Sequence, residues 1–190
     1  MRKIPSNLDN PIDNIIINFC EGTVETLKKM NFTPNMLTTI SLLLAIFSVI
    51  LFCYDYYKFS AIIFFISYIF DCLDGHYARK YNMVTKFGCY YDHISDTFKY
   101  VLFSIAVYYK SKNKFILLLP IFIGLFILSL IHTGCMEIYT DINVQSESLT
   151  YFKSFCPSDK ANDYLKYTKY FGFGTFNVLF VLIIFTFDWF

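Results

Sequence analysis

The sequence has almost no net charge and lacks several patterns that mark soluble or secreted classes of protein. Its 190 residues carry a formal net charge of +1, so no nucleic-acid partner is indicated. None of its six cysteines shows CxxC or CxxH spacing, which argues against a zinc site and favours free thiols acting as small apolar residues. Residues 1–35 contain no compact apolar core, so we expect no cleavable signal peptide.

Long apolar runs are what the sequence does contain. Hydrophobic residues make up 56% of the chain and the mean hydropathy is +0.46. Uncharged runs cover residues 36–54, 115–131 and 171–186. A bilayer core of about 30 Å needs about 20 apolar residues per helix. Because alternation at period two is absent, barrel strands are excluded, and the sequence predicts an all-α integral membrane protein.

We predict a bundle of five to six transmembrane helices. Five spans are clear, at about residues 36–54, 59–70, 88–109, 115–131 and 171–190. Residues 36–190 then form the transmembrane domain, in which the polar stretch 134–170 has no assigned role. In the N-terminal segment 1–35, apolar residues at three- and four-residue spacing indicate an amphipathic helix, either lying in the membrane interface or packed on the bundle.

Basic residues suggest the orientation of the chain. With the N-terminus in the cytosol, eleven lysines and arginines fall on the cytosolic side. Four fall on the other side: Lys58, Lys110, Lys112 and Lys114. The positive-inside rule therefore favours this topology. It places the polar stretch between the second and third spans on the cytosolic side.

That polar stretch, residues 71–96, holds four aspartates beside an apolar run. Asp71 and Asp74 are three residues apart, and Asp92 and Asp96 are four apart, so each pair shares one helix face. A short turn joins the two helices, so the faces can meet at one membrane end. Crowded carboxylates repel one another unless cations neutralise them. Hard oxygen ligands suit Mg²⁺ or Mn²⁺, and four carboxylates match the charge of two divalent ions.

The same residues fit the pattern D-x2-D-G-x2-A-R-x8-G-x3-D-x3-D at every fixed position. The matching residues are Asp71, Asp74, Gly75, Ala78, Arg79, Gly88, Asp92 and Asp96. The chain thereby resembles the CDP-alcohol phosphotransferases, membrane enzymes of phospholipid synthesis. "TPNMLT", residues 33–38, looks like a second and weaker landmark of that family. The resemblance covers roughly residues 33–133.

The resemblance implies a reaction and a set of roles. Such enzymes break the pyrophosphate of a CDP-linked alcohol, transfer its phosphate-bearing part to a hydroxyl and release CMP. By this resemblance all four aspartates bind two divalent metal ions, and Asp96 is also the general base. It further implies that Gly75, Ala78, Arg79 and Gly88 contact the nucleotide and its phosphates, and that the enzyme is a homodimer in contact with membrane lipids.

The donor and the acceptor are left open by the sequence. "DGHYARKYNMVTKFG" is similar to phosphatidylinositol synthases, which favours CDP-diacylglycerol with inositol or a similar polar acceptor. Asp92-His93 instead resembles the branch that uses CDP-choline or CDP-ethanolamine with diacylglycerol. Lys99 lies on the carboxylate stripe, where it either binds an acceptor phosphate or balances the aspartates. A hypothesis of another class is a divalent-cation transporter with the aspartates as its permeation site.

Overall fold

A computed structural model describes residues 3–140, 151–157 and 161–189, and all regular structure in this part of the chain is helical. Its α-helices are α1 Pro11–Lys29, α2 Pro34–Cys53, α3 Tyr57–Lys80, α4 Lys86–Lys110, α5 Lys112–Tyr139, α6 Ala161–Thr168 and α7 Phe173–Phe185. Its 3₁₀ helices are Tyr151–Phe155, Lys169–Phe171 and Phe187–Trp189. The predicted all-α class is confirmed over these residues, whereas part of the polar stretch 134–170 lies outside them.

Local sequence signals account for where the helices begin. Asn10, Thr33 and Thr85 cap α1, α2 and α4, each side chain accepting a hydrogen bond from a backbone N–H of the first turn. Proline occupies the first position of α1 and α2, where its missing N–H costs nothing. Such caps satisfy donors that the helix itself leaves unpaired.

The connections that follow α1, α2 and α3 are short and turn through the left-handed region. Asn31 (φ 57°), Asp55 (φ 69°) and Asn82 (φ 55°) supply these turns. Asn and Asp tolerate this conformation better than other non-glycine residues because their short polar side chains bond locally. As a result α2, α3 and α4 run antiparallel. The start of α2, the end of α3 and the start of α4 meet at one end of the bundle, called the site end below.

Four helical segments are long and apolar enough to cross a membrane: α2, α3, α5 and Ala161–Phe185, which runs from α6 into α7. The predicted span at 88–109 corresponds to α4, but Asp92, Asp96 and Lys99 make that helix more polar than the four. The structure therefore supports an integral membrane protein with four candidate spans. The number of five to six spans stays a prediction.

Two kinds of contact join the spans. In the half of the bundle away from the site end, Phe52, Phe64, Phe103 and Phe180 are buried and pack edge-on or tilted around one another. Between α2 and α3, serines exchange hydrogen bonds reciprocally, each hydroxyl donating to the partner's backbone carbonyl. The pairs are Ser41 with Ser67 (2.8 and 2.7 Å) and Ser48 with Ser60 (2.7 and 2.8 Å). Small polar residues let helices approach closely where no hydrophobic force drives association.

Candidate active site

Three aspartates of the predicted set meet at the site end. Asp71 and Asp74 lie near the end of α3 and Asp92 near the start of α4, and one carboxylate oxygen from each lies within 4.8 Å of the other two. Asp74 is only 5% exposed. Three carboxylates this close repel one another strongly. Their hard oxygen atoms form a donor set that fits Mg²⁺ or Mn²⁺.

The start of α2 orients this group. The Thr38 hydroxyl donates a hydrogen bond to Oδ2 of Asp74, and both side chains are buried. Groups that hold a ligating carboxylate fix its direction and tune its affinity for metal. The "TPNMLT" segment therefore does two things: Thr33 caps the helix, and one turn later Thr38 holds an aspartate of the group.

Lys99 lies between Asp71 and Asp96. Lys99 is 4% exposed. Its ammonium donates to Oδ1 of Asp71 at 2.6 Å, to Oδ1 of Asp96 at 2.8 Å and to Oγ of Ser41 at 2.9 Å. Asp96 therefore lies beside the three aspartates, and its carboxylate interacts electrostatically with those of Asp71 and Asp92. That all four carboxylates bind the same two metal ions stays a prediction. Lys99 lies on the same face of α4 as Asp92 and Asp96, as predicted, and it forms ion pairs with Asp71 and Asp96.

The other motif residues line a small cavity of about 120 Å³ next to the aspartates. Gly75 leaves room for Arg79, since a Cβ at Gly75 would lie 3.1 Å from its Nη1. Gly88 leaves room for Asn35, whose Oδ1 would be 3.1 Å from an added Cβ. Ala78 also lines this cavity. The structure therefore brings Gly75, Ala78, Arg79 and Gly88 together around one cavity, and their contact with a nucleotide stays a prediction.

A larger cavity of about 740 Å³ opens from the same aspartates. At the site end its walls are polar and include Asp71, Asp92, Asp96 and Arg79. Along α4 and α5 the lining becomes apolar, formed by Val101, Val107, Leu118, Leu119, Phe122, Ile123 and Phe126. The cavity thus joins a charged end to a long hydrophobic wall. A molecule with a polar head and an apolar tail matches this division.

The segment ahead of α1, residues 3–10, is a part of the site end that the sequence did not predict. Ile4 and Leu8 are buried against Cys135, Ala161 and Leu165. Lys3 forms an ion pair with the buried carboxylate of Glu137 near the end of α5. Lys3 and Asp9 both line the larger cavity, where Asp9 interacts electrostatically with Arg79. This N-terminal segment therefore forms one wall of the cavity.

A disulfide joins Cys135 of α5 to Cys156, just after the 3₁₀ helix Tyr151–Phe155. The prediction of free thiols is therefore wrong for these two residues. No local spacing indicates the bond, because the partners are 21 residues apart and meet through the fold. The free-thiol prediction holds for the other four cysteines: Cys20, Cys53, Cys72 and Cys89.

A comparison of the sequence with models of known protein families gives one match. The sequence model of the CDP-alcohol phosphatidyltransferase family matches residues 31–189. The chain belongs to this family. The match extends the resemblance, carried by residues 33–133 in the sequence, through the C-terminal helices. No curated protein and no solved structure gives a significant match.

Family membership makes the chain a transferase of phosphate-containing groups. Members act on CDP-alcohols and lipids in membranes and generally use divalent metal ions. The four apolar segments agree with an integral membrane enzyme of phospholipid synthesis. The family match supports a transferase. It does not support the divalent-cation transporter of the second hypothesis.

Proposed function

We propose that this enzyme transfers the phosphatidyl group of CDP-diacylglycerol to the hydroxyl of a small polar alcohol, inositol first, and releases CMP. The observation that carries the proposal is the larger cavity, in which the aspartates stand at one end of a wall that is otherwise apolar. A donor with two acyl chains and a pyrophosphate has the same division of polarity. The wall along α4 and α5 would hold the acyl chains, and the polar end would hold the nucleotide.

The metal ions belong beside the aspartates. Asp71, Asp74, Asp92 and Asp96 would hold two Mg²⁺ or Mn²⁺ ions, as in the sequence prediction. When bound, such ions neutralise the pyrophosphate and stabilise the charge that develops on transfer. Arg79 would bind phosphate oxygens, because guanidinium offers charged donors in a fixed fork. Gly75, Ala78 and Gly88 keep the small cavity open for the nucleotide.

Asp96 is proposed as the general base. Its carboxylate would take the proton of the acceptor hydroxyl while the acceptor oxygen attacks the phosphorus of the phosphatidyl group. The P–O bond to the CMP phosphate then breaks, and CMP leaves with the electron pair. The hydrogen bond from Lys99 at 2.8 Å keeps one oxygen of Asp96 in place during this transfer.

The alternative donor is CDP-choline or CDP-ethanolamine, with diacylglycerol as the acceptor. The same cavity accommodates either lipid, so the two alternatives differ in which substrate carries the nucleotide. We favour CDP-diacylglycerol because Asn82 and Thr85 follow the motif as in phosphatidylinositol synthases. Both residues have structural roles consistent with a fixed loop there, Asn82 in the left-handed turn and Thr85 as the cap of α4.

The proposal extends to the domain organisation, the orientation and the assembly of the enzyme. Residues 1–35 form an N-terminal interfacial segment, and residues 36–190 form the transmembrane domain. On α1, Ile15 and Phe19 are 68% and 87% exposed, opposite a buried face, which supports a helix lying in the membrane interface. The excess of basic residues supports a cytosolic site end. We also propose that the enzyme works as a homodimer.

The test offers the purified enzyme both CDP-diacylglycerol and CDP-choline, with Mg²⁺ or Mn²⁺ and a panel of alcohols, and identifies the products by mass spectrometry. Asp96→Asn should lower CMP release by about 10²–10⁴-fold, the usual contribution of a general base. Asp163→Asn is the matched control, because Asp163 is an exposed residue of α6 whose carboxylate forms a surface ion pair with Lys166. Undiminished turnover by Asp96→Asn would remove its role, and phosphocholine transfer alone would replace the proposed donor.

A further inference from the structure

Lys99 is a buried cation whose hydrogen-bonding capacity is fully used. An ammonium group has three N–H donors. The three donors of Lys99 reach Ser41, Asp71 and Asp96 at distances of 2.6–2.9 Å. A buried charge is tolerated only when it is paired in this way, because each ion loses several kcal/mol of hydration. Lys99 therefore has no donor left for an acceptor phosphate unless one of these contacts breaks.

Ser41 determines where that ammonium sits. Ser41 has no exposed surface, and its hydroxyl donates to the carbonyl of Ser67 at 2.8 Å while accepting from Lys99 at 2.9 Å. With its own proton committed to Ser67, the Ser41 oxygen presents its lone pairs to Lys99. The α2–α3 contact thus fixes the position of a side chain that comes from α4.

The second serine pair shows what Ser41 does in addition to joining helices. Ser48 and Ser60 lie seven residues from Ser41 and Ser67 and exchange the same reciprocal bonds, at 2.7 and 2.8 Å. Ser48 is equally buried. The Ser48 hydroxyl contacts Ser60, whereas the Ser41 hydroxyl, besides contacting Ser67, lies 2.9 Å from the Lys99 ammonium and 3.5 Å from Oδ1 of Asp71. The two pairs therefore separate helix packing from the effect on Lys99.

We propose that Lys99, held by Ser41, is a positioning residue that fixes Asp96 and Asp71 relative to each other, and that it does not bind the acceptor. The inference rests on the proposed function of Asp96.

The kinetic test compares kcat and KM. Lys99→Met should lower kcat by about 100-fold, since misplacing a reacting group by about 1 Å has an effect of this size. The KM for the acceptor should change less than about threefold, because Lys99 does not contact it. Loss of acceptor binding with kcat preserved would overturn the proposal and make Lys99 an acceptor ligand.

A second variant covers the case in which Lys99→Met does not fold. Ser41→Ala keeps the lysine and removes one acceptor, and we expect kcat to fall about tenfold with the acceptor KM unchanged. Ser48→Ala removes the matching helix contact and should keep kcat within about twofold of the wild type. Equal kcat losses in the two serine variants would reduce Ser41 to a packing residue and overturn the proposal.

A third measurement does not depend on turnover. In metal-free protein, Lys99→Met leaves Asp71 and Asp96 without their buried partner, so its unfolding midpoint should lie roughly 10 °C below that of the wild type. An unchanged midpoint would show that the ion pairs do not hold these side chains. If the wild type releases no CMP, the proposed function fails. If the wild type releases CMP and the Lys99 and Ser41 variants have the same kcat as the wild type, only the positioning role fails.

Discussion

Asn10 connects the N-terminal segment to the start of α7. Its removal should destabilise the site end. The side chain has no exposed surface. Its Oδ1 accepts from the N–H of Ile12 at 3.0 Å and so caps α1. Its Nδ2 donates to the carbonyl of Lys169 at 2.7 Å and to the hydroxyl of Thr175 at 2.9 Å. One amide therefore connects α1, the 3₁₀ helix before α7, and α7 itself.

Two glycines make the space for this amide. A Cβ at Gly174 would lie 2.4 Å from Oδ1 of Asn10, and one at Gly172 would lie 3.1 Å from Nδ2. The first distance is shorter than any real contact allows, so a side chain at Gly174 and Asn10 in its present place exclude each other. The sequence "FGFGT" at the start of α7 is explained by this close approach.

The magnitude follows from the three bonds. Loss of a side-chain cap costs about 1 kcal/mol. Each of the two remaining hydrogen bonds contributes about 0.5–1.5 kcal/mol. Asn10→Ala should therefore lower the free energy of unfolding by about 2–4 kcal/mol, which lowers the midpoint of thermal unfolding by roughly 5–15 °C in a protein of this size.

The assay is thermal unfolding of the purified protein in detergent, with Asn14→Ala as the control. Asn14 is the same residue type one turn further on, and its Nδ2 donates to the carbonyl of Ser6 at 2.7 Å in an exposed contact and, at the longer distance of 3.4 Å, to the carbonyl of Asp9. Its loss should cost less than about 1 kcal/mol, since exposed bonds exchange readily with water. Equal midpoints for the two variants, or an Asn10→Ala midpoint within about 2 °C of the wild type, would refute the reasoning.

Two further changes address the same end of the molecule. Burial raises the pKa of Asp13 to about 6, above the unfolded value of 3.8, so this carboxyl contributes stability below about pH 4 and loses it as the pH rises through 6. Asp13→Asn keeps the oxygen that accepts from Tyr68 and removes the charge. It should raise the unfolding midpoint at pH 7.5 by about 2–4 °C and have less effect at pH 4.5. A lower midpoint at pH 7.5 would contradict this. Removing the disulfide with Cys135→Ser should lower the free energy of unfolding by about 3 kcal/mol. A reductant should lower the unfolding midpoint of the wild type to that of the variant and leave the variant unchanged, and replacement of the exposed free thiol of Cys53 is the control. A wild-type midpoint that does not respond to reductant would speak against the bond.

Much of the fold could be predicted because its signals are local. Apolar runs marked α2, α5 and the C-terminal span, and the caps Thr33 and Thr85 follow from residues a few positions apart. The helix α4 could be predicted as a helix but not established as a span, since composition alone does not say whether its charged face meets lipid or protein. The serine pairs were not predicted, because serine in an apolar run does not reveal which helix it faces.

The candidate site divides in the same way. Spacing of three and four along two consecutive helices was enough to bring Asp71, Asp74 and Asp92 together, because short turns leave little freedom. It also placed Lys99 on their stripe. It did not show that Lys99 bridges Asp71 and Asp96, because that contact also involves Ser41 of a third helix. Contacts between residues 159 positions apart, such as Asn10 with Lys169, have no periodicity that a sequence pattern reports.

The disulfide and the basic residues bear on the same question, the compartment that the site end faces. The positive-inside rule favours the cytosol, where disulfides rarely persist because thiols are kept reduced. Cys135 is fully buried, whereas Cys156 is partly exposed. If the charges determine the orientation, we expect the pair to be reduced in the cell, where the free energy of unfolding would be lower by the same ~3 kcal/mol. The three hydrogen bonds of Asn10 do not depend on redox state, so they would still hold the N-terminal segment against α7.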